Sequence, residues 1–224
     1  MIAEEILQKT SLCELSESQG KTLECIKECI MKAIIPFKKA KLQRNINVRL
    51  NEKKMTQIFV EQVGFQLIPF SSIAVNCEYS DIFFGTKGIS DFYFYHQEEG
   101  KTNLPLFIVE AKRLPAPSNK KIREKEYVIG CKDNGGIERY KKEIHGKNFD
   151  QCGMIGFIEK FSQTFWINII NKWINDLAKD GHEWKEDEQL IIRKNEVDFS
   201  YLVSIAHRKI SGNDVLLHHW WIVC

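Results

Sequence analysis

Residues 104–109 read LPLFIV, six apolar positions in a row, and Glu110 and Lys112 then follow with one small residue between them. The run is far too short to span a bilayer and lacks the polar alternation of a half-exposed strand. It reads as a strand buried on both faces, and a sheet that holds such a strand needs cover on both sides.

The rest of the chain offers that cover. Leu23, Ile26, Ile30 and Ile34 recur at helical spacing over about 17–35, and Pro36 is expected to end that helix. Asn51 is a good N-cap for a second helix, NEKKMTQIFVEQV. The period then shortens. YSDIFFG (79–85), SDFYFYH (90–96) and LPLFIVEAK (104–112) read as three strands, the last two forming a hairpin around EEGKTN. A helix is expected over GIERYKKEIH (136–145), ended by Gly146, then a short buried strand at 152–160. An amphipathic helix at 161–181, closed by Gly181, precedes three more strands: QLIIRK, YLVSIAH and DVLLHHWWIV. The expected fold class is α/β (α+β): a central mixed β-sheet flanked by helices, with a helical N-terminal segment (1–50) packed on a main domain (51–224).

Composition narrows the function. With 224 residues, 43% of them hydrophobic, the chain can build one ordinary core. A formal charge of +2 leaves no strong overall field, so local patches matter more. The opening MIAEEILQKT lacks the basic start and apolar run of a secretory signal, and no stretch is long and apolar enough for a membrane helix. A cytoplasmic protein without a membrane partner is expected. Seven cysteines at irregular spacing, with no CxxC, point to reduced thiols and not to a zinc site or a disulfide framework. His207, His218 and His219 read as packed or paired strand residues. No GxxxxGK[ST] phosphate loop is present, so an ATP-driven step would need a partner ATPase, helicase or sensor protein.

Glu-x-Lys occurs four times, but only Glu110-Ala111-Lys112 sits at the end of an apolar strand. A period of two puts Glu110 and Lys112 on one face. Asp91 opens the preceding strand, so a hairpin would bring it towards Glu110. Adjacent carboxylates repel unless a cation lies between them, and hard oxygen ligands suit Mg²⁺ or Mn²⁺. On the helix that begins near Asn51, Glu52 falls within the apolar face formed by Met55, Ile58, Phe59 and Val63, whereas Glu61 does not. Glu52 is therefore the better candidate for a third carboxylate; the alternative is that it simply favours the positive end of its helix.

The order of an acid on one strand, Glu-x-Lys on the next and a Glu on an upstream helix resembles the PD-(D/E)xK nuclease superfamily, the restriction-endonuclease-like fold. Ser90 stands where that family usually has proline. The resemblance covers about residues 51–160 and implies a Mg²⁺- or Mn²⁺-dependent nuclease of a bacterial restriction or anti-phage type. Asp91, Glu110 and Glu52 would hold metal, and Lys112 would act on the attacking water or the transition-state charge. Such proteins often carry a Gln or Glu and a Tyr on the following helix, where Glu138, Arg139 and Tyr140 stand here. Arg139 and Tyr140 are candidate nucleic-acid contacts, Arg139 through a bidentate grip on a phosphate; the competing reading is a solvated helix with Tyr140 packed on the sheet. The stretch 37–54 holds seven Lys or Arg against one Glu, so Lys38, Lys39, Lys41 and Arg44 are candidate phosphate contacts, as are Arg113, Lys120, Lys121 and Arg123. DNA is favoured over RNA as the partner. A homodimer is also expected, because cutting both strands often takes two sites. The competing function is a catalytically silent nuclease-like subunit that binds nucleic acid or a partner protein.

Overall fold

The computed structural model describes residues 17–43, 48–117, 124–131, 135–181 and 183–224. Arg44, Lys120, Lys121 and Arg123 lie outside those residues. The element order is α1 (Glu17–Leu42), α2 (Glu52–Leu67), β1 (Ile73–Ser80), β2 (Ile89–His96), β3 (Pro105–Leu114), α3 (Gly136–Lys141), β4 (Gln151–Ile158), α4 (Gln163–Lys179), β5 (Ile191–Asn195), β6 (Phe199–His207) and β7 (Asp214–Val223).

The strands form one seven-stranded sheet in the order β1-β2-β3-β4-β7-β6-β5. β1, β2 and β3 form an antiparallel meander, whereas β4 runs parallel to both β3 and β7. β6 and β5 complete the far side in antiparallel fashion. β3 is an inner strand and is buried on both faces, as its unbroken apolar run requires.

Two cores form, one on each face of the sheet. On one face Phe92, Phe94, Phe107, Val109, Ile155 and Phe157 pack against Ile26, Ile30, Phe37, Phe59 and Val63 of α1 and α2. On the other, Ile108, Met154, Leu202, Leu217 and Trp221 pack against Tyr140 of α3 and Trp166, Ile170 and Ile174 of α4. The central mixed sheet, its flanking helices and the helical N-terminal segment are therefore all present.

Two elements differ from expectation. α1 does not stop at Pro36 but continues to Leu42. A proline inside a helix costs about 3 kcal/mol. Burial of Ile34 and Phe37 on either side of it recovers roughly 3–6 kcal/mol at about 1.5–3 per large side chain. The Phe37 ring sits 5.6 Å from Phe59 and 5.5 Å from Phe157, so the helix is carried past the proline by its packing. The first strand is also displaced: β1 spans Ile73–Ser80, not 79–85. The Asp81 carboxylate accepts hydrogen bonds from the backbone N–H of Phe83, Phe84 and Thr86, which curls IFF into a loop.

Candidate functional site

The hairpin expected from the sequence exists, with Phe92 opposite Val109 and Tyr93 opposite Ile108. Its ladder stops at the Phe92–Val109 pair, one step short of Asp91 and Glu110. Across the opening, the Asp91 carboxylate accepts the Ala111 N–H at 2.6 Å. Glu110 and Lys112 lie within β3, which runs on to Leu114, so they are buried inside the strand and do not cap its end.

Four groups meet there. The Lys112 Nζ donates to Glu110 Oε1 at 2.6 Å and to the Ala111 carbonyl at 3.1 Å, and it stands 3.8 Å from Glu52 Oε1. Glu52 arrives from the first turn of α2, which Asn51 caps by accepting the Lys54 N–H. Its second oxygen accepts the Arg113 N–H at 3.1 Å. α3 then closes the site from the side. A Cβ at Gly136 would fall 2.4 Å from Met154 Cε and 3.5 Å from Lys112 Cγ, so the absent side chain lets the helix start against β4 and Lys112. From α3, Arg139 Nη1 donates to Glu110 Oε1 at 3.0 Å.

The electrostatics show what this packing costs. Burial, reinforced by the nearby Glu110, pushes the Asp91 carboxyl well above the usual range. Burial also raises Glu52, although Lys112 opposes the shift. For Glu110, burial alone would act upward, but Lys112, His145 and Arg139 together pull it well below an ordinary glutamate. Burial works against the Lys112 charge, yet Glu110, Glu52 and Asp91 hold that ammonium above its usual value. Lys112 is therefore a cation, and the acid with the weakest compensation is Asp91. A divalent cation would relieve the mutual repulsion of three carboxylates in one place.

The donor set fits such a cation. Glu110 Oε1, the Ala111 carbonyl and Glu52 Oε1 already surround a positive ammonium with hard oxygens. Among the described residues, however, no three His, Cys, Asp or Glu side chains stand together at metal-ligand spacing. Lys112 and Arg139 take the Glu110 oxygen that a metal would need.

Comparisons with family models, with curated proteins and with solved structures returned no match for this chain.

The other candidates divide. Tyr140 is completely buried, and its hydroxyl donates to the Gly153 carbonyl at 2.8 Å. It packs on the sheet and cannot reach a nucleic acid, which corrects its place among the contact residues. Lys38 pairs with Asp198, while Lys39 is exposed. Lys41, Lys38, Arg113 and Glu159 all lie near the Cys224 thiol, Arg113 paired with Glu159, so the basic end of α1 reaches the place where β3, β4 and β7 finish. His218 and His219 are buried and hydrogen-bonded within the sheet, and His207 is held between Asp214 and Asp187. A cavity of about 540 Å³ lies at the other end of β3, walled by Leu104, Pro105, Leu106 and Gln151, away from the acids.

One further participant carries no local signal in the sequence. His145 is fully buried, with Nδ1 3.2 Å from Glu110 Oε2. It reaches that position only because the chain curls back after α3.

Proposed function

We propose that this protein is a metal-dependent nuclease of the PD-(D/E)xK type, hydrolysing phosphodiester bonds in DNA in a restriction or anti-phage role. The observation that carries the reading is the meeting of Glu110 and Glu52 at the Lys112 ammonium, with Asp91 of the neighbouring strand bonded to the Ala111 N–H between them. One buried and two half-buried carboxylates gathered here have little structural purpose, since burial raises Glu52 and Asp91 above the usual carboxylate range.

Asp91, Glu110 and Glu52 would hold Mg²⁺ or Mn²⁺. Such an ion supplies a polarised phosphoryl group and a water of lowered pKa. The protein's own groups do the rest. Lys112, kept charged by its three acids, donates hydrogen bonds to the attacking water or to the developing negative charge and is not a general base. Arg139, partly exposed beside Glu110, is placed to grip a non-bridging phosphate oxygen through its planar fork. Lys39 and Lys41 lie on the last turn of α1, where they can take flanking phosphates.

The test is direct. Purified protein is incubated with plasmid DNA, linear DNA and RNA in the presence of Mg²⁺, Mn²⁺ or EDTA. Cleavage of DNA is expected with either metal and not with EDTA. Glu110→Ala, Asp91→Ala and Lys112→Ala should each lose about 10²-fold or more in rate. Cleavage that persists in EDTA or in Glu110→Ala overturns the reading. Metal-independent DNA binding with no cleavage, even with an ATPase partner added, would identify a silent binding subunit. The Lys112–Glu110 ion pair is the feature that favours this second reading.

A further inference from the structure

His145 makes contacts that an ordinary core histidine does not need. Its side chain is completely inaccessible and lies between four groups. Nδ1 faces Glu110 Oε2 at 3.2 Å, and Nε2 faces Arg139 Nη1 at 3.4 Å. The ring meets Tyr140 edge to face, with centroids 6.0 Å apart. On its remaining side the backbone of Gly88 lies so close that a Cβ there would stand 2.2 Å from His145 Cδ2. Gly88 leads into the strand that carries Asp91, so the ring touches the mounts of both acids.

The chain works to place this ring. After α3, the N–H groups of Ile144 and His145 both return to the Arg139 carbonyl, at 2.9 and 3.2 Å. Glu143 adopts a positive φ of 53°, a conformation that is uncommon for a residue with a side chain. Its carboxylate is tied down by the Ser211 N–H at 3.1 Å, which holds the turn in place.

Donor logic fixes the tautomer. A guanidinium has no acceptor, so in the contact with Arg139 it is His145 Nε2 that accepts. In the neutral imidazole the hydrogen is then on Nδ1, the atom that faces Glu110. The two Glu110 oxygens are thereby divided. Oε1 carries Lys112 and Arg139, both of which a metal ion can displace. Oε2 is buried without an aligned hydrogen bond, and the fixed imidazole stands 3.2 Å from it.

We propose that His145 is a positioning residue for the metal centre: it fixes Glu110 from the Oε2 side so that Oε1, now shared by Lys112 and Arg139, is presented to an incoming cation, and Arg139 sets its tautomer. The inference rests on the nuclease reading of this site. Partners that orient ligating carboxylates are worth about 10–100-fold in metal affinity.

The experiment uses the full chain and Mn²⁺ as probe, with calorimetry or Mn²⁺ resonance to read binding without DNA. His145→Ala should weaken Mn²⁺ binding about 10–100-fold. His145→Asn, whose amide N–H can stand near the place of Nδ1, should recover most of that loss. Unchanged Mn²⁺ affinity in His145→Ala overturns the positioning role and leaves the nuclease reading intact. No Mn²⁺ binding by the wild type overturns the metal centre itself. Should the alanine variant fail to fold, nitrogen NMR of the wild-type imidazole decides. A hydrogen on Nδ1, with a resonance that moves in Glu110→Gln, is the expected result. A hydrogen on Nε2, or no response to Glu110→Gln, removes the proposed link.

Discussion

A single buried imidazole shows how strictly this core handles charge. His219 sits wholly inside the sheet, where the Tyr127 hydroxyl meets Nδ1 at 2.8 Å and Ser204 Oγ meets Nε2 at 2.9 Å. The Trp221 N–H donates to the same Tyr127 oxygen, which ties the imidazole into a buried network. Burial pushes His219 down to about 3 from an ordinary 6.5. His218 is lowered as well, by burial first and then by Lys27 and His219. The folded state thus refuses protons that the unfolded chain accepts. The contribution of His219 to stability is complete above about pH 6.5 and is lost as pH falls towards 3, by about 1.4 kcal/mol per pH unit, and His218 acts in the same direction. Urea unfolding between about pH 7 and pH 5 should show this slope, and His219→Gln should flatten it by about one proton. Equal pH slopes for the wild type and His219→Gln would contradict the neutral assignment. At this scale the acids and the lysine of the site were legible, because Glu110, Lys112 and Asp91 carry charge where the pattern demands burial. His145 was not, since nothing local distinguishes it from any histidine in a turn.

Among the elements, α1 is the most informative. Read as an isolated segment it ends at Pro36; in the fold it spans Glu17–Leu42 and drives Phe37 into the aromatic cluster with Phe59 and Phe157. The helix is thus part of the main core and not an accessory to it. Phe37→Ala should cost about 3–5 kcal/mol and lower the midpoint of one common unfolding transition. A second, separate transition for the N-terminal helix, or a cost below about 1 kcal/mol, would show that α1 is only loosely attached. The first strand was misplaced for a related reason. The apolar run IFF looks like a strand, but Asp81 binds the backbone N–H groups that a ladder would use, and Ile82 is left exposed. β7, by contrast, spans DVLLHHWWIV as expected, paired along its length with β4 on one side and β6 on the other.

Over the whole molecule the near-neutral charge conceals a local bias. The last turn of α1 carries Lys39 and Lys41, and it lies near the ends of β3, β4 and β7, where Arg113 is paired with Glu159. The exposed face there is the candidate track for a nucleic-acid backbone. Replacing Lys39 and Lys41 with alanine should weaken duplex binding for all sequences alike. The slope of log K against log salt should become shallower by about 0.9 for each phosphate contact removed. Fluorescence anisotropy across a salt series reads this, and an unchanged slope would place the DNA elsewhere. Among the described residues, no helix is long and apolar enough to cross a membrane.

The sequence by itself determined the alternation of helices and strands, the doubly buried β3 and the identity of the charged residues upon it. These follow from periodicity and from the cost of burying charge, both of which act within a few residues of chain. Only the tertiary structure decided that α1 passes through its proline, that Tyr140 faces inward, and that Arg139 and His145 share Glu110 with Lys112. Those outcomes depend on contacts between segments far apart in sequence, where the energy of packing outweighs local preference.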